Sequence, residues 1–106
     1  MADMGSRPVL QQMPQYRLDP EESAAYEVAL EAINQANAAL SPLIAAATRE
    51  GDPERLRTLN ALRDRCFADR NDLSPGDRKR VAEVTRRYRE LRDTLRAQER
   101  PEATPR

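Results

Sequence analysis

Residues 81–95 read VAEVTRRYRELRDTL, and their spacing decides the fold. Val81, Val84, Tyr88, Leu91 and Leu95 recur at intervals of 3, 4, 3 and 4, with mostly charged residues between them. That is the period of a helix carrying one apolar stripe. A half-buried strand alternates every second residue, and no alternating run of strand length occurs in the chain. The spacing predicts a helix from Pro75 to about Gln98. Its narrow stripe has the width of a coiled-coil seam.

Working outward, four dipeptides punctuate the sequence: Asp19-Pro20, Ser41-Pro42, Asp52-Pro53 and Ser74-Pro75. Asp or Ser accepts a hydrogen bond from a free amide of a first turn, and proline is pre-set for the first helical position. Each pair is therefore a helix-start signal. A first helix is expected from about Pro20 to Leu40, with Tyr26, Leu30, Ile33, Asn37 and Leu40 on one face. Ala24, Ala25, Ala29, Ala32 and Ala36 favour that helix and permit close packing. An interior proline removes a hydrogen bond and clashes with the preceding turn, so Ser41-Pro42 is expected to break or sharply kink it. A short piece then runs to Arg49, capped by Gly51. The next helix is expected from Pro53 to about Asp69, with Leu56, Leu59, Leu62, Cys66 and Phe67 as its stripe.

The expected fold is all-α: a small helical bundle of three main helices over residues 19–98, the first kinked or broken at Pro42. A flexible N-terminal arm is expected over residues 1–18, bearing Val9, Leu10, Met13, Tyr16 and Leu18. Pro101 and Pro105 mark a disordered tail over residues 99–106. Asp-Pro-Glu and Leu-Ser-Pro each recur at an offset of 33 residues, which raises an internal repeat as a second reading beside the ordinary use of capping residues.

Composition excludes much chemistry. The 106 residues include no histidine, which removes imidazole ligands and the His-dependent nucleophile arrangements. The single cysteine, Cys66, forms neither an intramolecular disulfide nor a CxxC pair. Gly5, Gly51 and Gly76 are too far apart for a phosphate-cradling loop. No cofactor, metal or catalytic residue is expected, and paired carboxylates such as Glu21/Glu22 or Asp69/Asp72 read as cap and turn residues. No apolar run reaches transmembrane length, and no secretory leader is visible. A reducing, cytoplasmic setting is expected. Seventeen of the eighteen basic residues are Arg, which fits coding in a GC-rich bacterial genome.

Charge carries the functional reading. The 18 basic and 18 acidic residues cancel, yet Leu18 to Thr48 holds five acidic residues and no Lys or Arg. Only 4% of the chain is aromatic, so the core is thin. A thin core beside a narrow seam predicts a non-enzymatic interaction module that binds itself or another protein. The expected contact residues are Val84, Tyr88, Leu91 and Leu95, flanked by Arg87 and Arg92. A small regulator of the antitoxin, immunity or transcription-associated kind, bound to a toxin or to nucleic acid, is the alternative. Arg78, Lys79 and Arg80 at the start of the last helix form its candidate anion site. Against a duplex binder stand the absent basic excess and the interleaved Asp77, Glu83, Glu90 and Asp93.

Overall fold

The structure, a computed structural model, describes residues 20–99; the expected arm and residues 100–106 of the expected tail lie outside them. The described residues form three α-helices and no strand: α1 (Pro20–Glu50), α2 (Pro53–Asp72) and α3 (Arg78–Glu99). The chain is all-α, as its periodicity predicts.

Of the break or kink expected at Ser41-Pro42, the break is absent: α1 runs for 31 residues with Pro42 inside it. The reason is burial on both sides of the proline. Ile33, Ala36, Leu40, Leu43 and Ala47 are all buried, and their 3, 4, 3, 4 spacing crosses Pro42 without a change of phase. Core contacts on one continuous face outweigh one lost backbone bond. At about 1.5 Å per residue α1 is roughly 46 Å long.

Gly51 ends α1 as the sequence suggests. Its φ of +65° lies in the left-handed region, where a Cβ is unfavourable. The Gly51 amide donates to the Thr48 carbonyl (3.2 Å) and the Asp52 amide to that of Ala47 (3.0 Å), the paired bonds of a Schellman cap. Asp52 then caps α2, its side chain accepting from the Arg55 amide at 3.1 Å, with Pro53 opening the helix.

The last helix starts three residues later than the spacing predicts. Ser74-Pro75-Gly76-Asp77 is a turn, closed by the Asp77 amide on the Ser74 carbonyl at 3.1 Å. Asp77 is the working cap, accepting from the Arg80 amide at 3.2 Å. Gly76 is a poor residue for a first helical turn, and Asp caps at least as well as Ser. The two Leu-Ser-Pro triplets therefore differ, one lying within α1 and one in a turn, whereas the other match at the 33-residue offset has a counterpart: α1 opens at Pro20 and α2 at Pro53.

Direction follows from contacts. Glu22 meets Arg78 and Gln35 meets Arg92, so α1 and α3 run the same way at an offset of 56 to 57 residues. Arg55 meets Gln98 and Asp69 meets Arg80, so α2 runs against α3. The helix α1 is the spine: α3 packs along it most extensively and α2 less so. Its buried alanines (Ala29, Ala32, Ala36, Ala39 and Ala47) bring the neighbouring helices close.

Candidate functional site

The expected contact seam of α3 lies inside the chain. Val84 is fully buried, Tyr88 and Leu95 nearly so, and Leu91 is half-buried against the same core. Here the seam packs on the chain's own core, so these four residues offer little surface to a partner. Arg92 is also engaged, donating to Gln35 at 2.8 Å and to Asp93 at 2.9 Å. Arg87 is half-buried, with no ion pair among the described residues.

The candidate anion cluster does not converge. Arg78 pairs with Glu22 at 2.8 Å, and Arg80 faces Asp69 at 3.5 Å and Glu83 at 3.7 Å. Lys79 is exposed beside them, and Asp77 already takes the amide an anion would seek.

One polar site was not legible as such. The Tyr88 hydroxyl donates to Asp69 Oδ2 at 2.6 Å, and both residues are buried. Burial, then the Asp69 carboxylate, hold the Tyr88 phenol well above its usual range. Cys66 sits one turn before Asp69 and is 1% exposed. Burial first and Asp69 second push its thiol up, so it is a poor nucleophile. The signal was present: Leu59, Leu62, Cys66, Asp69 and Leu73 repeat at 3, 4, 3 and 4, which places Asp69 on the buried face. Phe67, expected on that stripe, is off-phase and 45% exposed. No group of potential metal ligands occurs among the described residues.

The open surface is a groove between α1 and α3, lined by those two helices and Pro75 and by no residue of α2. Its volume is about 860 Å³, and a second hollow of about 370 Å³ continues it past Val28 and Arg89 to Gln35. Ala24, Ala25, Val28 and Ala82 line it with short apolar side chains. Val28 is 42% exposed, the one large apolar residue of α1 left on the surface. The walls differ in sign. The α1 wall carries Glu21, Glu22, Glu27 and Glu31 and no base; the α3 wall carries Arg78, Arg86, Arg89 and Arg92 with Glu90 and Asp93.

Comparison with protein-family models, with curated proteins and with solved structures finds no match to this chain. Among the described residues, no helix is long and apolar enough to cross a membrane.

Proposed function

We propose that this chain is a non-enzymatic helical protein–protein interaction module whose working surface is the α1–α3 groove. The observation that carries the reading is an apolar floor between two walls of opposite charge; among the described residues, the apolar stripes of the helices face the shared core instead. Exposed apolar floors with polar rims suit a partner's helix or a second copy. The surface needed by the expected module thus moves from the seam of α3 to its flank. Nucleic-acid binding has less support, since the guanidiniums of α3 are interleaved with carboxylates and its first turn is capped by Asp77.

The test uses the tagged full chain as bait in nuclease-treated lysate, with untagged chain added. Ala82→Arg and Val28→Arg place a long cation in the groove at exposed positions. The expected result is a protein, the untagged copy included, retained by the wild-type bait and lost by both variants. Equal capture by all three baits, or capture that vanishes with nuclease, overturns the reading.

A further inference from the structure

The opposite signs of the two groove walls say which partner fits. Four carboxylates stand on α1; α3 carries four guanidiniums with Glu90 and Asp93 among them, and of those four only Arg89 makes no ion pair among the described residues. Glu22 meets Arg78 at 2.8 Å at one end, and Arg86 meets its own Glu90 at 3.4 Å. Glu27 and Arg89 are exposed and make no ion pair among the described residues.

We propose that the groove's occupant is a second copy of this chain, packed face to face so that each α1 lies on the other copy's α3 and all four helices run in one direction. This rests on the groove being the interaction surface. An isologous pair has its two-fold axis in the contact plane. Two orientations are then open. An axis across the groove sets α1 on α1, carboxylates against carboxylates. An axis along the groove sets α1 on the second copy's α3, carboxylates against guanidiniums. Charge selects the second.

Register supports it. Glu22 stands level with Arg78 and Gln35 level with Arg92. An axis along the groove preserves height, so the second copy's Arg86 arrives level with residues 29–30 of α1 and its Arg89 level with residues 32–33. Arg86 falls within one helical turn of both Glu27 and Glu31, and Arg89 within one turn of Glu31. Ala24, Ala25 and Ala82 let the helices approach, and Val28 of each copy is covered. Aligned dipoles of four parallel helices oppose the arrangement weakly, and the antiparallel α2 of each copy offsets part of this.

The test is sedimentation equilibrium of the full chain over a concentration series at low salt, with circular dichroism on every variant. The wild type is expected at twice the 12.1 kDa chain mass, dissociating as salt rises. Reversing one wall, by Glu27→Arg with Glu31→Arg or by Arg86→Glu with Arg89→Glu, is expected to raise the dissociation constant about tenfold or more. All four substitutions together swap the walls and are expected to restore the dimer. An axis across the groove predicts no loss from either single reversal. A one-chain mass at every concentration, wall reversals without effect, or a folded four-fold variant that stays monomeric overturns the pairing. Should the four-fold variant lose helix, the two single reversals decide. A monomeric wild type whose capture of another protein still depends on Ala82 overturns self-pairing and spares the groove. A dimer that survives Ala82→Arg overturns both.

Discussion

The Tyr88 hydroxyl and the Asp69 carboxylate, 2.6 Å apart, form the buried polar link between α2 and α3. The second Asp69 oxygen faces Arg80 only at 3.5 Å, so the phenol is the carboxylate's main short donor. Tyr88→Phe leaves that carboxylate buried and short of a partner, an expected loss of about 1–3 kcal/mol in urea denaturation. Asp69→Asn keeps an acceptor oxygen and is expected to lose less. A smaller loss from Tyr88→Phe than from Asp69→Asn would show that Arg80, not Tyr88, satisfies the site. A double-mutant cycle isolates the coupling. Tyr88→Ala removes a core ring, so it reports on folding before it reports on any partner.

The same cluster sets an alkaline limit. Burial and Asp69 raise both the Tyr88 phenol and the Cys66 thiol in the folded chain. Both groups are neutral when protonated, so the unfolded chain ionises first as pH rises. Their contribution is complete below the unfolded values, about 8.5 for the thiol and about 10 for the phenol, and is lost as pH climbs towards the raised folded values. The urea midpoint is expected to hold from pH 7 to 8 and to fall above about 8.5. Combining Tyr88→Phe with Cys66→Ala should flatten that fall. At pH 8 a thiol reagent is expected to label the chain only after denaturation. Rapid labelling of the native chain would place Cys66 outside the core.

Much of this was legible because one rule, the 3–4 alternation, governs all three helices. It reads α3 correctly, and its buried face is the stripe from Val81 to Leu95. Where local signals were ranked above that rule, they misplaced features. Ser41-Pro42 has the look of a helix start, yet the stripe from Ile33 to Ala47 runs through it. Phe67 was assigned to the core for its apolarity, although Asp69 holds the next buried position after Cys66. A carboxylate reads as surface unless the phenol that satisfies it is known, and Tyr88 is 19 residues away. The groove was illegible for another reason. It takes Glu27 and Val28 from one helix and Ala82 and Arg86 from another, and their meeting depends on the parallel register of α1 and α3.

Pro42 offers a direct check on that balance. It lacks the amide that would bond the carbonyl one turn back, and its ring crowds that turn, at a cost of about 3 kcal/mol in an ordinary helix. Loss of proline also frees the unfolded chain, which offsets up to about 1 kcal/mol. Pro42→Ala is therefore expected to raise stability by roughly 1–2 kcal/mol, read from the thermal midpoint of helix ellipticity. A lower midpoint would mean that the bundle requires the proline's local geometry.

Asn37 carries a complementary prediction. Its Oδ1 is buried without a hydrogen-bond donor among the described residues. It occupies the position between Ile33 and Leu40 on the face of α1 where the spacing calls for an apolar side chain. An unsatisfied buried carbonyl costs about 1–3 kcal/mol, and Leu both removes it and favours the helix more than Asn. Asn37→Leu is expected to shift the urea midpoint upward with the same slope, since the surface exposed on unfolding barely changes. A downward shift would reveal a donor for Asn37 in solution, and would turn this polar break in the stripe from a cost into a contact that fixes the register of α1.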